Sequence, residues 1–181
     1  MIEVSVITAT FNSEQTLKRN IESVNNQKNV VFEQIFVDGG SSDNTVSIIE
    51  EWSPKVTNLI VGRDSGIYDA LNIGIQASSG EYICILNSDD FFTDDLVLQE
   101  IVAMFERQKV DIVYSGITYV NSNYEVIGEW VPDEFSFGSF SYSWHPPHPG
   151  FFVRKTCYEK AGSFDLNFKV AADFELMFRF L

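Results

Sequence analysis

The residues with the most chemical potential fall in one short stretch, residues 80–95, GEYICILNSDDFFTDD. A turn glycine precedes an apolar run, Tyr82, Ile83, Cys84, Ile85 and Leu86, and then come Asn87, Ser88, Asp89 and Asp90. A run of that length, with β-branched and aromatic members, predicts a buried central strand. Acids just past its carboxyl end stand where open α/β sheets hold ligands. Adjacent carboxylates repel each other and lose solvation unless a positive charge neutralises them. A divalent cation, Mg²⁺ or Mn²⁺, meets that need, because hard oxygen ligands suit both and such ions commonly also hold a substrate phosphate. The plainer alternative is an Asp-rich loop that caps the next helix. That role suits Asp94 and Asp95, ahead of Leu98, Ile101, Val102 and Phe105.

Other residues of chemical interest are scattered. Asp38 follows a second apolar run and precedes Gly39 and Gly40. Its carboxylate either accepts the N–H of a pyrimidine base or braces the Gly-Gly turn. Arg63 and Asp64 lie at a strand-to-helix junction, where Arg63 faces a diphosphate or pairs with a neighbouring carboxylate. His148 sits among prolines, as a metal or phosphate ligand or as a structural hydrogen-bonding group. Phe135, Phe137, Phe140, Tyr142 and Trp144 interleave with Ser and Gly in a loop, either as stacking platforms for sugars or as packing over the core. Asp173 opens a late helix, where an acid on its own merely favours the helix dipole.

The elements that must position these groups alternate. Residues 2–8 predict a first strand, and Ser13 predicts the N-cap of a helix with Leu17, Ile21 and Val24 on one face. Residues 30–37 predict a second strand, and Asp43 caps a helix carrying Val46, Ile48 and Ile49. Residues 56–62 predict a third strand, followed by a helix that Ser65 and Gly66 open, with Ile67, Leu71 and Ile75 at helical spacing. The fourth strand is the opening stretch, with its helix over about 94–108. The pattern then changes: residues 110–120 and 124–131 predict a hairpin about Asn121-Ser122-Asn123. Residues 132–148 predict a loop, 155–161 a helix and 171 onward a last helix. This order predicts a single α/β domain with one mixed sheet, residues 1–95 being a nucleotide-binding half and 96–181 an acceptor-side half. The apolar Phe178, Phe180 and Leu181 close behind Asp173 predict a chain truncated at its carboxyl end.

The chain is long enough to bury a sizeable core. With 26 acidic against 12 basic residues and a net charge of −14, it carries no basic face for nucleic acid. No apolar run approaches the roughly 20 residues of a membrane span, and no signal peptide is visible. Cys84 and Cys157 predict reduced thiols in a cytosolic protein. The first strand-to-helix turn lacks the Gly-rich dinucleotide fingerprint, and no GKS or GKT phosphate loop occurs, so a nucleotide is held another way.

Taken in order, TATFN, VDGGSSDNT, RDSGIYDALNIGI, GEYICILNSDD, HPGFFVRK and FKVAADFEL make the chain resemble a family 2 glycosyltransferase of the GT-A fold, of the kind that builds bacterial surface polysaccharides. The resemblance covers almost the whole chain. It implies that Asp38 contacts the base of a UDP-type donor, with Thr8, Phe11 and Asn12 beside the nucleoside and Arg63 and Asp64 at the pocket edge. Asn87-Ser88-Asp89 matches the DxD motif, which implies Asp89 as metal ligand and Asn87 as a nucleotide contact. His148 matches a His near the diphosphate, a second metal-side group. Asp90 and Trp144 are the expected substrate contacts, and Asp173 the expected catalytic base. Asn87 departs from the motif, replacing its first Asp. The QxxRW motif of processive members would fall past residue 181.

The implied reaction transfers a sugar, with inversion, from a nucleotide-diphospho-sugar to a hydroxyl of a saccharide or lipid-linked saccharide, on the cytoplasmic side and peripheral to the inner membrane face. Rival readings are a sugar-phosphate nucleotidyltransferase, which would want a Gly-rich basic loop where TATFNSEQT stands, and a non-catalytic nucleotide-sugar-binding domain. A metal phosphohydrolase would need a two-metal ligand set that the sequence does not assemble.

Overall fold

Strands β1 (Val4–Thr10), β2 (Phe32–Asp38), β3 (Val56–Val61) and β4 (Tyr82–Ile85) each lead into a helix, α1 (Leu17–Asn25), α2 (Thr45–Trp52), α3 (Ile67–Ala77) and α4 (Val97–Gln108). The structure is a computed structural model that describes residues 1–53, 56–142 and 144–181. The four strands pair in parallel. Two more join antiparallel, β8 (Phe151–Arg154) beside β4 and β5 (Ile112–Tyr114) beside β8. The order across the sheet is therefore β3-β2-β1-β4-β8-β5. Parallel pairing sets Thr10 beside Asp38 and Asp38 beside Val61, so the carboxyl ends of these strands share one rim.

Period-2 alternation sorts the core into two layers. Val4, Val6, Tyr82 and Cys84 face Val24 of α1 and Leu98, Ile101 and Phe105 of α4. Ile7, Ile83 and Ile85 face the other way, against Leu71 and Ile75 of α3 and Leu176 and Met177 of α6 (Ala172–Phe180). Helices α3 and α6 thus share one layer. Arg179 fastens α6 to the end of α5 (Lys155–Ala161), donating to the carbonyls of Ala161 at 2.5 Å and Ser163 at 2.7 Å. Among the described residues no helix is long and apolar enough to cross a membrane. Cys84 is buried and Cys157 half-buried, both as free thiols.

Three expectations change. The predicted strand over 110–120 breaks at Ser115-Gly116: β5 stays in the main sheet, whereas β6 (Ile117–Val120) pairs only with β7 (Val126–Trp130) in a separate two-stranded sheet. A Cβ on Gly116 would lie 3.0 Å from the Trp130 carbonyl oxygen, so a glycine lets the chain turn out of the sheet there. The hairpin turn is as expected, with Asn121 Oδ1 accepting from the amides of Asn123 and Glu125. Residues 151–154, which the sequence pattern assigns to no element, form β8. Ser13 does not cap α1 with its side chain; the helix starts at Leu17, whose amide donates to the Ser13 carbonyl. Asp43, in contrast, accepts from the Thr45 amide at 3.0 Å at the start of α2.

Glu33 is a buried carboxylate in β2. Its Oε1 accepts from the Ser5 and Ser79 hydroxyls and from the Ser79 and Gly80 amides. Burial pushes its pKa up, but these donors together outweigh that and hold it below the ordinary value of 4.5. The folded state therefore binds this proton less readily than the unfolded chain. The contribution is full above the unfolded value and is lost as pH falls through the lower folded value. Thermal unfolding followed from about pH 6 to about pH 3 should show a steeper fall of Tm for the native chain than for Glu33→Gln.

Candidate active site

The rim formed by the parallel strands opens into a cleft of about 720 Å³, a size typical of small-molecule sites. Its walls are Thr10 and Phe11 after β1, Gly39 and Gly40 after β2, Arg63 and Asp64 after β3, and Ile67 and Ala70 of α3. An adjoining hollow of about 490 Å³ is lined by Asn12, Glu14, Asp43 and Asp89. Ser13 and Ser88 line both spaces, and their hydroxyls meet at 2.9 Å. The Ser13 side chain thus ties the β1 loop to the β4 loop.

Phe11 presents its ring to solvent at the cleft, 64% exposed. Beside it, Asn12 adopts φ 51°, a left-handed conformation that Asn tolerates. Its Oδ1 accepts from the Ser42 amide at 2.9 Å, which fixes the β2 loop against the β1 loop. Asp64 accepts from the Gly66 amide at 2.9 Å at the start of α3, and its other oxygen lies against Gly39. A Cβ on Gly39 would stand 2.9 Å from that oxygen and 3.4 Å from the Phe11 ring, so the missing side chain lets the three loops pack closely. Arg63 is exposed on the rim and makes no salt bridge among the described residues.

Two residues expected on the nucleotide side have buried side chains. Thr8 does not reach the cleft: alternation places it on the α1 side of β1, one step in from Thr10, buried and bonded by Gln34. Asp38 is also fully buried. Its oxygens accept from the amides of Gly40 and Ser41 and from the hydroxyls of Thr10 and Ser41, at 2.6–3.0 Å. Those four donors fill the carboxylate's acceptor sites. The carboxylate thus braces the Gly-Gly turn, and Phe11, Arg63 and Asp64 line the cleft beside it.

In the β4 loop, Asn87 donates from Nδ2 to Asp90 Oδ2 at 2.9 Å, and the Asp90 amide donates to the Asn87 carbonyl at 3.0 Å. Burial raises the Asp90 pKa, the Asp89 charge adds to the rise, and the Asn87 bond opposes it. Asp90 is thus bonded inside the turn, while Asp89 is exposed and lines the smaller hollow. Among the described residues no three His, Cys, Asp or Glu side chains gather as a metal cage. His148 lines neither hollow. It packs edge-on against Phe164 at 5.9 Å, and its pKa is lowered by burial while the Asp173 charge acts the other way. Asp89 is the exposed carboxylate of that hollow, and its hard oxygen ligands suit a divalent cation.

Asp173 lies in the first turn of α6, half-buried, and its Oδ1 accepts from the Tyr68 hydroxyl at 3.3 Å. Burial and the neighbouring Asp173 carboxylate raise the Tyr68 pKa, so the phenol stays protonated as a donor. Tyr68 also stacks on Phe164 at 5.4 Å. Trp144 packs among Tyr114, Phe135 and Phe140 and donates to the Asp133 carbonyl, and it lines neither hollow. The aromatic loop thus packs on itself around Trp144.

The profile of Glycosyl transferase family 2 matches residues 5–160. The chain belongs to that family. It is 33% identical over 180 residues to an uncharacterized glycosyltransferase of Mycobacterium tuberculosis (strain ATCC 25618 / H37Rv), across 97% of this chain and 68% of that one. Its fold is similar to that of S. aureus TarS 1–349 in complex with UDP-GlcNAc, at TM-score 0.80 and 21% identity over 98% of this chain and 53% of that one. The mannosyltransferase PcManGT from Pyrobaculum calidifontis, in complex with GDP-Man and Mn²⁺, gives TM-score 0.72 at 21% identity over 94% of this chain and 49% of that one. The chain spans about half the length of these solved structures. At these identities the likeness is one of fold, and the fold is GT-A.

Within this glycosyltransferase fold, three groups escape sequence reasoning. Ser13 and Ser88 join the two hollows, and Tyr68 of α3 reaches Asp173 of α6 within one helix layer. Tyr68 does carry a signal: it neighbours Ile67, the cleft-lining residue at the start of α3.

Proposed function

We propose that this family 2 glycosyltransferase moves a sugar, with inversion, from a UDP-sugar to an acceptor hydroxyl. The observation that supports this most is the cleft at the rim of the parallel strands, joined through Ser13 and Ser88 to the hollow that Asp89 faces. The Phe11 ring stacks on the base, Asp64 and Arg63 line the nucleoside and diphosphate, and residues 1–95 make up the donor half. Asp89 would hold a divalent cation, Mn²⁺ or Mg²⁺. When bound, such a cation supplies Lewis-acid stabilisation of the departing diphosphate charge.

Residues 96–181 form the acceptor side. Asp173 accepts the proton of the acceptor hydroxyl as its oxygen bonds to the anomeric carbon. The bond from that carbon to the diphosphate oxygen breaks, and UDP leaves with the electron pair. Tyr68 holds the carboxylate during attack, and the His148 imidazole borders the same space. The preference for UDP draws on the nucleotide sugar bound by TarS. A saccharide or lipid-linked saccharide of a surface polysaccharide, met at the cytoplasmic membrane face, is the acceptor class that this reading assigns. A thermal-shift screen of UDP-, GDP- and dTDP-sugars with and without Mn²⁺ tests it. A UDP-sugar should raise Tm most, and more with Mn²⁺; stabilisation by none of the three would overturn the reading.

A further inference from the structure

The layer between α1 and the sheet should be apolar, and mostly it is: Leu17, Ile21 and Val24 are the buried residues of α1 apart from one. The exception is Asn20, 1% exposed. Its Nδ2 donates to the Asn87 carbonyl at 2.8 Å and to the Asp90 carbonyl at 3.0 Å. These carbonyls are the two ends of the turn that carries Asp89. On its other side, Asn20 Oδ1 accepts from Gln34 Nε2 at 3.0 Å, and the same nitrogen reaches the Thr8 hydroxyl at 3.4 Å. Gln34 and Thr8 lie fully buried on β2 and β1. A continuous polar path therefore runs from the two central strands, through one helix residue, to the Asp89 turn.

Stability alone does not account for this path. Gln34 Oε1 is buried without a hydrogen-bond partner among the described residues. A partly satisfied buried network is less stable than an apolar core of the same shape. Asn also supplies what no hydroxyl or carboxylate does, two N–H donors on one nitrogen for two carbonyls. The turn is short, so fixing both its ends fixes the direction of the side chain between them. Ligand side chains need such support to stay within a fraction of an ångström of productive geometry.

We propose that Asn20 is a positioning residue, which anchors both ends of the Asn87–Asp90 turn so that Asp89 is aimed for a divalent cation and a diphosphate. The inference rests on the reading of Asp89 as cation ligand. Asn20 touches neither cation nor nucleotide, so its loss acts on the cation-dependent part of binding alone.

Calorimetric titration of UDP, with and without MnCl₂, into the full chain and its variants tests this. Mn²⁺ should tighten UDP binding to the native chain. Asn20→Ala should lose about tenfold or more of that Mn²⁺-dependent gain, the usual scale for removing a group that orients a metal ligand. UDP affinity in EDTA should stay within about twofold of the native chain, since the cleft walls are untouched. Asn20→Asp keeps the volume and replaces the donor nitrogen by oxygen; it serves where Asn20→Ala does not fold, and should show the same loss. A native chain with no Mn²⁺ gain overturns the Asp89 reading and this inference together. A native gain that both variants retain, or an equal loss of affinity in EDTA, overturns this inference alone.

Discussion

Asp173→Asn should lower the rate of sugar transfer by about 10²–10⁴-fold, the usual contribution of a positioned general base, and leave UDP affinity within about twofold. The substitution is close to isosteric. The amide oxygen still accepts from Tyr68, so the contact between α3 and α6 survives. What is lost is the only function that needs a carboxylate, taking a proton from the attacking hydroxyl. The cleft proposed for the nucleotide is built from the β1, β2 and β3 loops and the start of α3, and Asp173 lines none of it. Release of UDP from UDP-sugars, measured with calorimetry of UDP on the same preparations, separates the two effects. Equal losses of turnover and of binding would move Asp173 out of the base role and into the donor site.

The second large effect is expected at Asp89. Lewis-acid stabilisation of a departing diphosphate is worth several kcal/mol, and Asp89, exposed at the smaller hollow, is the carboxylate to which the proposed function gives the cation. EDTA should weaken UDP binding to the native chain and have no effect on Asp89→Asn, whose affinity already matches that of the chelated protein. Because Asp89 is exposed, its replacement should leave Tm within a degree or so. UDP affinity that is the same with and without Mn²⁺ would remove both the cation and Asp89 from the mechanism.

The parallel half of this fold was legible because its signals are local. Each of β1 to β4 is rich in β-branched and aromatic residues and ends at a polar turn, and each following helix repeats apolar residues at helical spacing. The break at Ser115-Gly116 was less visible, since the β-forming residues on both sides read as one strand and only Gly116 hints otherwise. Strand β8 is four residues long and directly follows a proline-rich turn, too short for its periodicity to speak. The site was legible in composition and less so in arrangement. Asp38 and Asp90 are acids in the expected places, yet local donors engage both. The bonds that assemble the site join residues 75 and 105 positions apart, Ser13 to Ser88 and Tyr68 to Asp173. No local pattern encodes such pairs; they follow from strand order, which puts β1 between β2 and β4 and gathers their loops.

The insertion of β8 between β4 and β5 has a consequence for biogenesis. While the chain emerges from the ribosome, β1 to β4 can pair as soon as they are made, but β4 stays an open edge until residues 151–154 appear. An unpaired apolar edge is a template for self-association. Until β8 is made, that edge is the part of the growing sheet open to a second chain.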